Sequence, residues 1–213
     1  MLKNALSSPV VYQKFQEIGG FFGARVKAMA EFLTLEPGMR ILDIGCGPGN
    51  ILDHLPKGIH YFGFDVDDRY IRHAQRSFAG RGTFFCRHFD ARTVDLVQPV
   101  DVALMNGVLH HVTDEELRPL LDAIRASLRP GGLLFTLDGC YVPNQHWFNR
   151  WMLDNDRGRF VRDEAGYRRV LQRSFGDVAV HVRETYSRVP YTFAVGISRT
   201  AGGAGRLRDV PVA

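Results

Sequence analysis

The sequence predicts an α/β fold in which a mostly parallel β-sheet is covered by helices on both faces. Short apolar strands alternate with amphipathic helices along the 213 residues, a pattern typical of parallel strands joined by crossover helices. A glycine-rich turn follows the first strand, where doubly wound sheets bind ligands. The chain length and the hydrophobic content of 45% fit a single domain with a full core.

The predicted elements follow from hydrophobic spacing and from start and stop signals. Helical spacing predicts helices at 10–18, 21–35, 49–56, 67–79, 113–128 and 163–174, and short apolar runs predict strands at 40–44, 60–64, 83–86, 101–105 and 133–138. Asp67 is the expected N-cap of its helix, and Thr113 with Glu116 forms a capping box. Residues 176–187 and 190–198 are predicted to form a final antiparallel pair, and the Gly/Ala-rich tail from Thr200 is predicted to fray.

Composition excludes several other classes of protein. The three cysteines, Cys46, Cys86 and Cys140, are too few and too dispersed for a disulfide framework or a zinc site, and we expect no metal. No apolar run approaches the roughly 18 residues of a membrane span, and the N-terminus does not resemble a signal peptide, so we expect a cytoplasmic protein. The net charge of +4 comes from scattered arginines, which favours a solvated surface over nucleic-acid binding. The oligomeric state stays open.

The segment from Ile41 to Asn50, ILDIGCGPGN, is the most informative part of the sequence. A strand ends, the chain turns through Gly45, Gly47 and Gly49, and a helix begins. Glycine suits a turn that needs positive φ or close approach of a ligand to the backbone. Asn50 stands where a dinucleotide-binding G-x-G-x-x-G sequence has its third glycine, and no lysine follows as in a P-loop. These departures argue against a nicotinamide-dependent oxidoreductase, which remains an alternative function.

This loop resembles motif I of the class I S-adenosylmethionine-dependent methyltransferases, with Asp43 at the acidic position. The resemblance covers residues 40–139 and implies a Rossmann-like, doubly wound, mostly parallel seven-stranded sheet with an antiparallel last strand. It also implies S-adenosylmethionine as cofactor. That molecule carries an ammonium and a sulfonium, so a carboxylate at the strand end suits it.

Further acids are expected at the next two strand ends. Asp65 follows the loop by about twenty residues, the offset at which an acid reaches a ribose hydroxyl, and Val66 could pack on adenine. The resemblance places Asp90 and Ala91 at the adenine, although Asp90 could instead cap a short helix at 92–97. The predicted cofactor residues are Asp43, Gly45, Cys46, Gly47, Gly49, Asp65, Val66, Asp90, Ala91, Asn106 and Gly107.

The segment after the fourth strand carries the catalytic candidates. Val108-Leu109-His110-His111 resembles the V-L-H-H segment of small-molecule methyltransferases. A hydroxyl acceptor is a poor nucleophile, and a histidine base would help by roughly 10²–10⁴-fold. His110 and His111 are both candidates for that base, and a packing role for either or both stays open.

The resemblance divides the chain into one methyltransferase domain at 1–199 and a tail at 200–213. Residues 1–35 would form an N-terminal helical cap, and 140–175 an insertion beside a small-molecule methyl acceptor. The candidate acceptor-binding residues are Tyr141, His146, Trp147 and Arg157. The segments 137–140 and 189–192 resemble methyltransferases of polysaccharide biosynthesis, which implies a hydroxyl acceptor on a saccharide or a lipid-linked saccharide, with N-methylation of an amine as a competing reaction. The N-methylation signature [DN]-P-P-[YFW] is absent, which disfavours DNA bases, protein glutamine and many nucleobases as acceptors. A non-catalytic cofactor-binding partner protein is the remaining alternative.

Overall fold

The computed structural model describes residues 20–156 and 158–202. The predicted helix at 10–18, the acceptor candidate Arg157 and the tail beyond residue 202 lie outside the described residues. The helices are α1 (Phe21–Phe32), α2 (Asp68–Ser77), α3 (Asp114–Ser127), α4 (Trp147–Asp154) and α5 (Glu164–Gln172). The strands are β1 (Arg40–Ile44), β2 (His60–Asp65), β3 (Gly82–Cys86), β4 (Val100–Asn106), β5 (Leu128–Tyr141), β6 (Arg162–Asp163), β7 (Asp177–Arg183) and β8 (Phe193–Arg199).

The strands form one mixed sheet in the order β3-β2-β1-β4-β5-β8-β7, with the two-residue β6 paired to β5. Strands β3, β2, β1, β4 and β5 run parallel. Strand β8 is antiparallel to both β5 and β7, which confirms the predicted antiparallel last strand. The order reverses direction at β1, so β1 and β4 flank the switch point where ligands bind in this class of fold.

The core occupies both faces of the sheet. Successive residues of β1 lie on opposite faces of the sheet. Ile41 belongs to the core cluster that includes α1, α2 and α4, whereas Leu42 belongs to the cluster that includes α3 and α5. Both side chains are fully buried, as expected for a central parallel strand. Within the described part of the chain, no helix is long and apolar enough to cross a membrane.

Two predicted helix starts are confirmed in detail. The Asp67 side chain accepts a hydrogen bond from the Arg69 N–H, and Thr113 and Glu116 form both bonds of the capping box. Capping satisfies backbone N–H groups that have no partner within the helix, which fixes where α2 and α3 begin.

Some predicted boundaries were wrong. The helix expected at 49–56 is one short 3-10 turn, Asn50–His54, since Pro56 and Gly58 leave no room for a longer helix. The helix expected at 92–97 is likewise a 3-10 turn, Val94–Leu96. Strand β5 starts at Leu128 rather than at residue 133, with a register shift in its pairing to β4. Residues 129–132 therefore form an irregular start of β5.

Candidate functional site

The predicted site residues converge at one edge of the sheet. The glycine loop follows β1, Asp65 ends β2, and Asn106 ends β4. Strand β5 passes beside β4 with Asn106 opposite Leu137, so Asp138 enters the same region. The carboxyl ends of these neighbouring parallel strands thus bring together residues that lie far apart in sequence.

The glycine loop is shaped by steric limits at Gly45 and by a hydrogen bond from Gly47. Gly45 has a φ of 70°, and a Cβ there would lie 2.7 Å from a methyl group of Val108, in the segment after β4. No other residue type combines that conformation with that approach. The Gly47 N–H donates to Asp65 Oδ2 at 2.9 Å, while Asp65 Oδ1 accepts from the Asp67 N–H at 2.9 Å. Asp65 therefore fixes the loop to the end of β2.

Asp43 lies beneath the loop as a buried carboxyl group. The Tyr61 hydroxyl donates to Asp43 Oδ2 at 2.5 Å. Burial raises the pKa of Asp43 to about 7, against the lowering effects of the Tyr61 hydrogen bond and the Arg25 charge. Since a nearby cation favours the carboxylate form, this group is suited to a positively charged ligand.

The end of β4 offers a second acceptor. Asn106 is buried, and its Oδ1 has no hydrogen-bond partner among residues 20–156 and 158–202. A buried acceptor without a partner is costly unless a ligand or water supplies a donor. The next residue, Gly107, donates its N–H to the Leu137 carbonyl at 2.7 Å, which ties the end of β4 to β5.

Arg25, on α1, reaches this same region. One guanidinium nitrogen lies 3.6 Å from the position that a Cβ of Gly107 would occupy. Its positive charge also acts on Asp43 and on His110. The sequence does not single out Arg25: it lies in the predicted helical cap, and no motif distinguishes this arginine from the others.

The candidates for adenine binding differ in their surroundings. Val66 leaves 59% of its surface exposed, next to Asp65. Both carboxylate oxygens of Asp90 bind Arg92, one through the backbone N–H at 2.9 Å and one through the guanidinium at 2.7 Å. Cys46 is half-buried in the loop, and burial raises the pKa of its thiol well above its usual range.

His110 forms a buried pair with Asp138. The His110 Nδ1 lies 2.7 Å from Asp138 Oδ1, and the His110 backbone N–H donates to the same oxygen at 3.2 Å. An ionised carboxylate only accepts, so with Asp138 ionised Nδ1 carries the proton and the neutral ring leaves Nε2 as a proton acceptor. Burial lowers the pKa of His110, but the hydrogen bond and charge of Asp138 outweigh it, and the net shift is upward.

The segment after α4 covers the other side of the His110 ring. A Cβ on Gly158 would lie 1.9 Å from His110 Cδ2, so only glycine fits against the ring. The Phe160 N–H donates to the His110 carbonyl at 3.0 Å. Asp156, in the same segment, accepts a hydrogen bond from the Tyr191 hydroxyl at 3.0 Å, and its charge also raises the pKa of His110.

Arg162 holds the turn that carries both histidines. Its guanidinium donates to the carbonyls of Leu109 and Val112 at 2.9 and 3.0 Å. It also forms an ion pair with Asp114 at 2.6 Å. His111 is exposed, with its ring 4.2 Å from that of His110. Arg162 and Asp138 were both missed as site residues, since only the folded register of β5 and β6 brings them to this turn.

The acceptor candidates lie around α4. The Tyr141 hydroxyl donates to Asp154 at 2.7 Å, and Arg150 lies over the Tyr141 ring. His146 caps α4 by accepting from the Phe148 N–H at 3.3 Å. Trp147 is 73% exposed, so within the described residues most of its surface faces outward rather than into a closed pocket.

Comparisons with known proteins identify the type of domain. Residues 42–134 match the methyltransferase domain family. An uncharacterised methyltransferase of Mycobacterium tuberculosis is 33% identical over 96 residues, which is 44% of this chain and 47% of that protein. The ubiquinone biosynthesis O-methyltransferase of Sinorhizobium fredii is 30% identical over 105 residues, 46% of this chain and 40% of that enzyme. The matched region thus spans less than half the length of these relatives.

A solved structure extends the fold comparison over most of the chain. Human N-acetylserotonin methyltransferase, in complex with S-adenosylmethionine, superposes with a TM-score of 0.64 at 17% identity. The superposition covers 90% of this chain and 54% of the human one. The family match covers residues 42–134, and together with the sheet order and the glycine loop it shows that this part of the chain is a methyltransferase domain, with the fold of the S-adenosylmethionine-dependent enzymes.

Proposed function

We propose that this protein transfers a methyl group from S-adenosylmethionine to a hydroxyl group of a small-molecule acceptor, with His110 as general base. The observation that carries the proposal is the buried His110–Asp138 pair, at the sheet edge that also holds the glycine loop. A histidine oriented by a carboxylate is a common arrangement for removing a proton from a weak nucleophile.

The residues at the sheet edge fit the proposed cofactor. S-adenosylmethionine supplies an electrophilic methyl group on a positively charged sulfur. The Asp43 carboxylate and the Asn106 Oδ1 are the acceptors suited to its cationic part. Asp65 would bind the ribose. The remaining predicted contacts, with the loop backbone and the adenine, are with Gly45, Cys46, Gly47, Gly49, Val66, Asp90, Ala91 and Gly107.

The proposed chemistry assigns separate roles to His110 and Asp138. The His110 Nε2 takes the proton of the acceptor hydroxyl as the new oxygen–carbon bond forms and the sulfur–carbon bond breaks. Asp138 holds Nδ1 protonated and stabilises the imidazolium that results, by the same electrostatic effect that raises the pKa of His110. His111 remains the alternative base, since its exposed ring adjoins that of His110.

Support for a hydroxyl acceptor comes from the site and from one relative. The S. fredii relative is named as an O-methyltransferase, and a nearby histidine base is needed more for a hydroxyl than for a neutral amine, because the neutral hydroxyl is the much weaker nucleophile. Tyr141, His146, Trp147 and Arg157 are the proposed acceptor contacts. A saccharide or lipid-linked saccharide is the acceptor class to be screened first.

Titration calorimetry tests the cofactor assignment. We expect S-adenosylmethionine and its demethylated product to bind, and NAD not to bind. Asp43→Asn should weaken binding of S-adenosylmethionine more than that of the demethylated product, since only the former carries the sulfonium charge. Binding of NAD alone would instead favour the oxidoreductase interpretation.

The base is tested by His110→Ala, with His111→Ala as the matched neighbour. We expect His110→Ala to lower kcat by about 10²-fold or more, with cofactor affinity nearly unchanged. His111→Ala should lower kcat much less. A larger loss with His111→Ala would move the role to that residue, and full activity in both variants would remove the general base from the proposal.

A further inference from the structure

Both tryptophans of the chain lie on the eight-residue helix α4, and both are exposed. Trp147 leaves 73% of its surface exposed and Trp151 leaves 41%. Tryptophan is usually well buried in a globular domain, so two exposed tryptophans one helical turn apart mark an unusual surface. Phe148 joins them, stacked on Trp151 at 5.9 Å and edge-on to Trp147 at 5.7 Å.

The opposite face of α4 fixes this aromatic surface in place. Met152 and Leu153 are buried in the core between α4 and the sheet. Asn149 is also buried, and its side chain donates to the Thr192 hydroxyl at 2.6 Å. The aromatic rings are therefore held outward by a rigid support.

A basic side chain lies on the same helix as both tryptophans, and a second follows it in sequence. Arg150, on α4, and Arg159, after it, are exposed. The acidic residue on α4, Asp154, is already engaged by the Tyr141 hydroxyl at 2.7 Å and by Arg150 at 3.6 Å. Phe160, which follows α4 in sequence, is also exposed. Arg150 stays 58% exposed beside its ion pair with Asp154, so the helix that carries both tryptophans also presents a guanidinium to the outside.

We propose that α4, with the exposed Arg159 and Phe160 that follow it, docks on the surface of an anionic phospholipid bilayer. Tryptophan is favoured at the boundary between headgroups and acyl chains, where its ring is buried and its N–H stays hydrated. Arginines beside it are attracted to anionic lipid headgroups. The net charge of +4 adds a longer-range attraction of the same sign.

The size of the surface favours a bilayer over a second copy of the chain. A stable protein interface buries about 800 Å² on each partner. Three aromatic side chains of about 150–250 Å² each, all of them partly covered, offer much less. Insertion into a bilayer has no such minimum, because each ring that enters contributes independently.

The location of the docking surface relates it to the proposed active site. Gly158 and Phe160, which follow α4, contact His110 directly. A bilayer under α4 would therefore lie beside the segment that covers the proposed base. The docking itself does not depend on methyl transfer, so it is tested separately from the proposed function.

Intrinsic tryptophan fluorescence provides a direct test, because both reporters lie on α4. The full chain is titrated with phosphatidylcholine vesicles, with and without phosphatidylglycerol. We expect a blue shift and co-sedimentation with the anionic vesicles, both reduced by high salt. Trp147→Ala, which leaves Trp151 as the reporter, should weaken vesicle binding by about tenfold. Arg150→Glu should weaken it further on anionic vesicles.

Matched controls lie on the opposite face of the sheet. Leu96→Ala removes another exposed apolar side chain, and Arg118→Glu makes the same charge change on α3; both should bind vesicles like the unaltered protein. Circular dichroism checks folding, and Trp151→Ala is the second variant if Trp147→Ala is unstable. The proposal is overturned by the absence of binding to either vesicle, or by equal binding in all variants. A blue shift that follows protein concentration without vesicles would assign the surface to self-association instead.

Discussion

His110 is a buried histidine on which two effects oppose each other. Burial alone lowers its pKa, and the Asp138 carboxylate at 2.7 Å reverses that shift. The pair therefore stabilises the fold most at low pH, below the ordinary histidine value of about 6.5, and this contribution is lost as the pH rises through the raised pKa. The same ionisation controls activity in the opposite sense, because only the neutral ring can accept a proton.

The activity should therefore depend on pH in a way that Asp138 controls. In the unaltered protein kcat/KM should rise with pH through a pKa above about 6.5. Asp138→Asn removes the charge and leaves the burial, so the rising limb should move to lower pH while the maximum rate falls. Profiles of kcat/KM against pH for both proteins measure this. Coincident limbs would show that Asp138 does not set the protonation of His110.

The buried Asp43 carboxyl group should couple ligand binding to the release of a proton. Its pKa of about 7 is raised by burial, so the ligand-free protein loses stability as the pH rises from the ordinary carboxyl range to about 7. A bound cation favours the carboxylate, so S-adenosylmethionine binding near or below pH 7 should release a proton. Calorimetry in buffers of different ionisation enthalpy detects that proton, and Asp43→Asn should abolish the buffer dependence. Equal heats in all buffers would place the cationic group elsewhere.

Among the local elements, the turn Leu109–His111 depends on Arg162. Five hydrogen bonds from one guanidinium reach two carbonyls of this turn region, the Phe160 carbonyl and Asp114. Lysine has a single charged nitrogen and cannot reproduce that fork. The turn thus owes its position to a side chain that enters from β6.

Arg162→Lys should therefore lower the free energy of unfolding by about 1–3 kcal/mol. It should also lower kcat with little effect on cofactor affinity, because the His110 ring loses its fixed position. Arg168→Lys is the matched control, since Arg168 forms an exposed i,i+4 ion pair with Glu164, worth about 0–1 kcal/mol. Denaturant unfolding and steady-state kinetics on both variants decide the point. Equal losses would show that Arg162 has no special role.

Local sequence signals predicted those features that depend on neighbouring residues. The capping box at Thr113, the glycine turn after β1 and the acid that ends β2 each follow from a few adjacent residues. Trp147 illustrates the limit of such signals. Its aromatic character makes it an acceptor candidate, but the packing of α4 on the sheet decides which of its side chains are covered, and no local pattern gives that packing: Trp147 is 73% exposed whereas Leu153 is buried.

The order and register of the strands bring together site residues that are far apart in sequence. His110 and Asp138 are 28 residues apart, and they meet because β4 and β5 pair in parallel with Asn106 opposite Leu137. A sequence pattern gives the presence of both strands but not their register, so this pair could not be predicted. Arg25 reaches the site from α1 for a similar reason, since tertiary packing alone brings that helix over the end of β4.

Because the site is assembled from several strand ends, one bound ligand should protect several distant segments of the chain at once. Binding of S-adenosylhomocysteine, the demethylated product, should slow hydrogen exchange at three separate segments, 45–49, 65–66 and 106–108, because a ligand bound as we propose would contact the carboxyl ends of β1, β2 and β4 together. The opposite edge, where the Gly38 N–H donates to the Gly58 carbonyl at 2.8 Å, serves as the internal control and should exchange unchanged. Exchange measured by mass spectrometry with and without ligand resolves these segments. Protection at 38–39 and 58–60 instead, under saturating ligand, would place the cofactor at the wrong edge for the proposed chemistry, since His110 and Asp138 lie at the other.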